Sequence, residues 1–589
     1  MCGIFGFIQE QPSAFSPDEI LTKATESIHH RGPDDVALAA HPPCFLGMRR
    51  LSIIDLSPNL YPFYNADRSL ALIFNGEIYN FPALRKELES HGHQFRTHCD
   101  AEVILAGYEE WGEEVIAKLR GMFAIALWNN KDKSLTLIRD RLGIKPLYYL
   151  DLPAGFFFAS EVKAFTVLPK DIFPRQLDPL ALDFLTGLMF IPNNELTALK
   201  GVKKLPPGHI LRRQNGKTDL RKYWDLSQVE PCENLSFEAA TQKLDEKLVE
   251  VTRMHLLADV PLGILLSGGI DSATIAALVT KHKLQNEINT YTASFNHAFN
   301  EGEKARVSAQ AVGSIHHEIP INVKEISDKI EDYIWYFDDL TTLDGGLLTT
   351  LVLCEKIAQR GIKVLLLGEG ADEIFGGYSW FGLSQLPFKY LGGGTRNFLY
   401  YYALSRNLTY HPLHYFQAWQ HLMPKEKAIF RQITLMEVGT QLPNHLLMKV
   451  DKGSMARSIE ARVPYLDHEL VEFVYSLPQE FKLQGQWFNT KKPQEKFILR
   501  QVAQRYLPPV VTSRKKRGFM LPILDFLKFG EEKVKNYLLD PQSVSRQLLG
   551  TGVESLFAST TNPILAKERE FMLWRLFLIE VWAKKYLTT

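Results

Sequence analysis

Leu262-Gly263-Ile264-Leu265-Leu266-Ser267-Gly268-Gly269-Ile270-Asp271-Ser272 is an apolar run that breaks into a glycine turn, followed by residues that set Ile275, Leu278 and Val279 on one helical face. A strand, a glycine turn and a helix N-terminus in that order make an anion site, because unpaired backbone N–H groups and the helix dipole aim at one point. A phosphate belongs in this loop. The stretch is neither a Walker A motif, which needs Gly-Lys-Ser/Thr, nor the dinucleotide G-x-G-x-x-G. The plain alternative is a glycine turn capped by Asp271 or Ser272.

Working outward, strand-like runs at residues 290–294 and 363–367 alternate with longer helical patterns, which predicts a parallel sheet with crossover helices. The last third is mostly helical by pattern. Leu365-Leu366-Leu367-Gly368-Glu369-Gly370-Ala371-Asp372-Glu373 repeats the strand-turn-helix logic with three acids at its tip. Acids at a helix start can simply complement the dipole. Beside a phosphate they point to a hard cation, since Mg²⁺ takes one or two carboxylates plus phosphate oxygens.

Upstream, short apolar segments at residues 70–74, 123–128, 135–138 and 156–159 read as strands, with helices at 81–91 and 101–111. This predicts a sheet-rich α+β domain over residues 1–205. A Pro/Gly- and charge-rich passage, residues 206–225, reads as a linker, and residues 226–589 form the second domain.

The chain has 589 residues, with Lys+Arg and Asp+Glu both totalling 67. Two to four domains are expected at this length. Zero net charge excludes the global basic field that draws proteins to nucleic acid. Five scattered cysteines without a C-x-x-C pair argue against zinc and for a reducing, cytoplasmic setting. No signal peptide and no run of about 18 apolar residues is present, so no membrane span is expected.

Met1-Cys2-Gly3-Ile4-Phe5-Gly6 opens the chain. Removing Met1 would leave a thiol and a free α-amine on one residue, and an amine of reference pKa about 8 can take a proton near neutrality. Cys2 could thus carry its own base; the alternative is a small buried hydrophobe.

Downstream stand His30-Arg31-Gly32-Pro33-Asp34, Arg50-Leu51-Ser52-Ile53-Ile54-Asp55, Asn75-Gly76-Glu77-Ile78-Tyr79-Asn80 and Arg139-Asp140-Arg141-Leu142-Gly143-Ile144-Lys145-Pro146. Singly, Asn-Gly signals a turn and Arg-Asp a surface ion pair. Together and in order they resemble the glutaminase domain of class II, N-terminal-nucleophile glutamine amidotransferases. The Ser-Gly-Gly-x-Asp-Ser loop resembles that of N-type ATP pyrophosphatases. With Ser458-Ile459-Glu460-Ala461-Arg462-Val463-Pro464-Tyr465-Leu466-Asp467, the chain is similar to glutamine-hydrolysing asparagine synthetases over nearly its whole length.

That resemblance implies an αββα N-terminal-nucleophile hydrolase sandwich followed by an α/β ATP pyrophosphatase domain. It implies Cys2 as nucleophile, with the Asn75 amide and Gly76 N–H stabilising the oxyanion. Arg50, Leu51, Ile54, Asn75, Gly76, Glu77 and Asp100 would hold glutamine, Arg50 on its α-carboxylate and Asp100 with the Glu77 region on its ammonium. Asp100 has a plain alternative as helix N-cap. ATP would meet Leu265, Ser267, Gly268, Gly269, Asp271, Ser272, Ala293, Leu367, Gly368 and Glu369. Asp271 and Asp372 would hold Mg²⁺, Glu369 would act as base on incoming ammonia, and Lys496 would neutralise charge during adenylation. An internal ammonia tunnel follows, and a homodimer is among the expectations.

Aspartate-using members resemble one another in a D-x-T-T-x-R stretch, but this chain reads Asp339-Leu340-Thr341-Thr342-Leu343-Asp344. An acid therefore stands where a base suited to a substrate carboxylate is expected, and Leu367 stands where serine is frequent. Aspartate is the first acceptor; cell-wall, polysaccharide or natural-product carboxylates are the alternative. A ring-closing ligase that needs no ammonia conflicts with the glutamine pocket, and a non-enzymatic binding protein conflicts with the retained acids and Lys496. The basic run Ser513-Arg514-Lys515-Lys516-Arg517-Gly518-Phe519 is assigned no chemistry.

Overall fold

In strand β1 (Cys2–Gln9), Cys2, Ile4 and Ile8 face one way and Phe5 and Phe7 the other. In β5 (Leu70–Ile78), Ala71 and Ile73 likewise oppose Leu72 and Phe74. Side chains alternate across a pleated strand, so each such strand buries both faces. This computed structural model describes residues 2–11, 14–58, 60–232, 234–295, 302–385, 426, 428–485, 494–514 and 521–588.

Two antiparallel sheets follow from that pattern. One has the order β10 (Lys203–Lys204), β8 (Tyr148–Leu152), β9 (Gly155–Ala159), β1, β3 (Cys44–Arg50), β2 (Asp35–His41). The other has the order β12 (Lys217–Lys222), β11 (His209–Gln214), β7 (Ser134–Arg139), β6 (Gly121–Asn129), β5, β4 (Phe63–Tyr64). Their inner faces share one cluster that includes Ile4, Met48, Ile73, Ala126 and Trp128. The helix Pro17–Ser27 covers the first sheet's outer face through Leu21 and Ala24. Helices Phe81–Ser90 and Ala101–Trp111 cover the second through Leu84, Leu88, Val103 and Ile104. The result is the expected αββα sandwich, each large buried side chain contributing about 1.5–3 kcal/mol.

One local expectation is corrected, and two plain readings of single strings are excluded. Residues 206–225 are not a free linker: β11 and β12 form a hairpin that extends the second sheet, turning at Asn215 and Gly216 with φ 51° and 72°. Positive φ at both central residues is what a tight hairpin demands. Asn75-Gly76 is not a turn but lies inside β5. Arg139 and Asp140 are not a surface pair; both are buried, Arg139 donating to the carbonyls of Gly143, Lys145 and Leu205 at 2.7–3.0 Å. Asp140 accepts from the N–H groups of Leu142, Ile144 and Lys145 at 2.8–3.1 Å, which closes the loop after β7.

The second half is built on a parallel sheet with the order β15 (Ile315–Pro320), β14 (Asn289–Ser294), β13 (Leu262–Leu265), β16 (Val364–Leu366), β17 (Glu460–Arg462). The chain steps outward from β13 through β14 to β15 and then crosses back to β16. In open α/β sheets the crevice at that reversal, beyond the strands' carboxyl ends, is where ligands bind. Among the described residues, the chain beyond β16 is mostly helical, as expected, ending in the helix Pro563–Tyr586. No helix among the described residues is long and apolar enough to cross a membrane.

Two candidate active sites

Cys2 and Asn75 lie on inner faces of the two stacked sheets, and that places them in contact. The Cys2 N–H donates to Asn75 Oδ1 at 3.0 Å. This bond orients the amide, and its Nδ2, fully buried, has no hydrogen-bond partner among the described residues. Burial pushes the Cys2 thiol above its ordinary value, while a hydrogen bond from the Leu51 backbone and the Arg50 charge pull the other way. A Cβ at Gly76 would lie 2.1 Å from Met122 O, so only glycine permits the close approach of β5 and β6 there.

The other expected glutamine-site residues gather around this pair. Arg50 is buried and donates to Ser57 O at 2.5 Å, Ile54 O at 3.4 Å and Asp55 O, so three carbonyls hold its guanidinium in place. Leu51 is buried beside it. Asp100 makes no side-chain cap to its helix; its Oδ2 accepts from the Ile78 N–H at 2.8 Å instead. Burial raises its pKa to about 6. Glu77 is buried too, pushed well above the usual carboxylate range by burial and by Glu460, with Arg462 opposing.

The second site occupies the reversal between β13 and β16. A cavity of about 310 Å³ is lined by Leu265, Ser267, Asp271, Ser272, Ala293, Leu367, Gly368 and Glu369 among the expected nucleotide residues. Gly268 and Gly269 are not in its lining. Gly268 instead makes the turn at φ 72°, and Arg514 donates to its carbonyl at 2.6 Å and to Lys304 O and Ser308 Oγ at 2.9 Å. The basic run thus contributes a clamp on the glycine loop; its residues 515–519 lie outside those described. The two glycine loops touch, since a Cβ at Gly368 would lie 2.7 Å from Ser272 N.

Lys496, held at φ 53° just before its helix, joins the two acids expected to hold metal. Its Nζ lies 2.7 Å from both Asp271 carboxylate oxygens and 2.6 Å from Asp372 Oδ1. Glu373, third of the acids, receives the Tyr378 hydroxyl at 2.5 Å and is raised to about 7 by burial and Asp372.

Sequence reasoning missed several residues of this cavity: Tyr291, Thr292, Tyr378, Leu446, Lys449 and Val450. Tyr291 and Thr292 precede Ala293 on β14 and carry no signal of their own; Lys449 lies upstream of the Ser458–Asp467 string that carries the family resemblance. Asp344, noted as a departure, also lines the cavity. Its carboxylate accepts from Gly346 N at 2.7 Å, pairs with His445 Nε2 at 2.8 Å and lies 3.9 Å from Lys449 Nζ. Burial opposes its ionisation, but Lys449 and His445 outweigh that and hold it well below the usual carboxylate range.

One residue spans both sites. The Arg462 carbonyl accepts from Leu367 N at 2.9 Å, on the cavity between β13 and β16, and its guanidinium lies 3.4 Å from Glu77 Oε1 among the residues expected to hold glutamine. Arg31 adds a second tie: it donates to Cys2 O at 3.2 Å and to Asp451 at 2.8 and 3.2 Å, on the helix Leu447–Met455 that also bears Lys449.

The models of two known domains fit this arrangement. A glutamine amidotransferase domain matches residues 1–224 and an asparagine synthase domain matches residues 243–584, so the chain is a two-domain amidotransferase. It is 32% identical to asparagine synthetase [glutamine-hydrolyzing] 1 of Bacillus subtilis, over 92% of this chain and 90% of that protein. It is also 32% identical to a putative asparagine synthetase of Mycobacterium tuberculosis, over 90% and 89%, and to asparagine synthetase 2 of Arabidopsis thaliana, over 88% and 78%. The protein belongs to the glutamine-hydrolysing asparagine synthetase family.

Proposed function

We propose that the protein converts aspartate to asparagine, taking nitrogen from glutamine and driving the step with ATP through an acyl-adenylate. As a family member it is a carbon–nitrogen ligase with glutamine as amido donor and ATP as co-substrate. The observation that carries the fuller reading is Arg462, whose carbonyl accepts from Leu367 of the nucleotide cavity and whose guanidinium lies 3.4 Å from Glu77, next to Gly76.

In the first site Cys2, N-terminal once Met1 is removed, gives its thiol proton to its own α-amine, and the sulfur attacks the glutamine amide carbon. The developing oxyanion meets the free Asn75 Nδ2 donor and the Gly76 N–H. Arg50 holds the α-carboxylate, Asp100 and Glu77 the ammonium, and Leu51 and Ile54 line the cleft. Ammonia leaves, and water releases glutamate from the thioester. In the second site the loop Ser267–Ser272 cradles the phosphates, with Leu265, Ala293, Leu367 and Gly368 around the adenosine. A carboxylate oxygen of the acceptor attacks the α-phosphorus and pyrophosphate departs. Lys496 balances the charge, Glu369 takes a proton from the attacking ammonia, and AMP is the second leaving group.

Two carboxylates beside a phosphate loop suit Mg²⁺, a hard cation satisfied by one or two acids plus phosphate oxygens. Asp271 and Asp372, whose carboxylates converge on Lys496 Nζ, would be that donor set. When bound, the ion would neutralise the leaving pyrophosphate. Amidation of another carboxylate is favoured by one observation, the acid Asp344 in the cavity wall. Release of AMP and pyrophosphate with glutamine and a panel of acids decides between them: turnover that requires aspartate supports the proposal, and turnover with other acids alone refutes it.

A further inference from the structure

Lys449 and Asp344 form an unusual pair within the synthetase cavity. The Lys449 side chain is 15% exposed, and its ammonium makes no hydrogen bond among the described residues, standing 3.9 Å from Asp344 Oδ2. An ammonium so placed has three donors free to meet an anion. Asp344 is fixed by two donors, Gly346 N on Oδ1 at 2.7 Å and His445 Nε2 on Oδ2 at 2.8 Å, and retains lone pairs. His445 is itself steadied by stacking on Phe190, ring centroids 5.1 Å apart. A Cβ at Gly346 would lie 2.7 Å from Lys449 Cδ and 3.0 Å from Asp344 Oδ1, so this glycine leaves the space in which the two charges lie side by side.

Resting on the proposed amidation, we infer that Asp344 and Lys449 are a two-charge clamp that selects an α-amino acid as acceptor. Lys449 takes the α-carboxylate and Asp344 the α-ammonium, which leaves the side-chain carboxylate free to turn toward Glu369 and the phosphate loop on the same cavity wall. The pair presents one positive and one negative group, and a zwitterion matches both. A dicarboxylate without an amine would set an anion against Asp344 and be rejected, as like charges brought together in a confined site are. The cation that relatives are expected to carry at position 344 is supplied here from position 449.

The test uses the full-length protein with ammonium chloride as nitrogen source, so that the glutaminase site is not needed, and follows AMP release. Aspartate is compared with succinate, which lacks the amine, and with β-alanine, which lacks the α-carboxylate. The clamp requires kcat/KM for aspartate to exceed both by about 100-fold. Asp344→Asn should lose most of the aspartate rate and raise the succinate rate, because the repelling charge is gone; Lys449→Met should lose most of the aspartate rate and leave β-alanine within about 3-fold. Glutamate release from glutamine, which needs neither residue, reports that each variant is folded. Succinate turned over as well as aspartate by the unaltered protein, or Asp344→Asn lowering both acids equally, overturns the clamp alone. No AMP release with any of the three acids overturns aspartate as acceptor and the clamp with it.

Discussion

Cys2 and Asn75 make the sharpest separable claims. Cys2→Ala should abolish glutamine-driven product formation yet leave ammonium-driven amidation intact, as measured by AMP release with each nitrogen source. Asn75→Ala should lower glutamine kcat by about 10²–10³-fold, the usual effect of losing one oxyanion donor, with the ammonium rate unchanged. Asp100 carries a pH signature. Its folded pKa of about 6 means that it is charged above that pH and neutral below it. If it binds the glutamine ammonium, KM for glutamine should rise as pH falls from 7 to 5 while KM for ATP does not follow. Most of these residues were legible in the sequence because the local strings around Cys2, Arg50 and Asn75 are specific. Their partners were not. Glu77 meets Arg462 and Arg31 meets Asp451 across 385 and 420 residues of chain, and no local pattern encodes such a contact.

The family resemblance made the sandwich legible; the apolar runs alone read only as a sheet-rich α+β domain, because β1, β5 and β6 are buried on both faces and show continuous apolar strings. The helix at Ala101–Trp111 begins and ends where its pattern does. The hairpin β11–β12 was missed for a physical reason: all six residues of β12 are exposed, so this solvated edge strand shows charge rather than alternation and reads as linker. The glycine loops permit a direct test. A Cβ at Gly368 would collide with Ser272 N, so Gly368→Ala should impair ATP-dependent AMP release severely and spare glutaminase activity. Acid stability is a further consequence of how helices and loops pack. Burial depresses His255 to about 3 and His30 to about 4, below their ordinary 6.5. The unfolded chain then binds more protons than the folded one below pH 6.5, so stability is full above that pH and is lost as pH falls toward 4. The urea midpoint should drop between pH 7 and 5, and less steeply in His255→Asn.

The two halves are joined by buried charge rather than by a passive surface. Arg31 and Glu161 of the first half are buried with Asp451 of the second, and Lys163 of the first half lies 4.0 Å from the buried Asp338 of the second. Removing one partner of such a pair strands the other, at about 3–5 kcal/mol. Asp451→Asn should therefore lower the thermal midpoint and, because Arg31 also holds the Cys2 carbonyl, loosen the link between glutamine hydrolysis and amide formation. More glutamate per asparagine is the expected readout. The proposed coupling of the two sites predicts that nitrogen passes from Cys2 to the activated acid without entering the solvent. Glutamine labelled with ¹⁵N in its amide, turned over in a large excess of unlabelled ammonium, tests this by mass spectrometry of the product. Channelled delivery gives an amide carrying ¹⁵N nearly undiluted; an amide whose ¹⁵N content matches the bulk ammonium pool would contradict it.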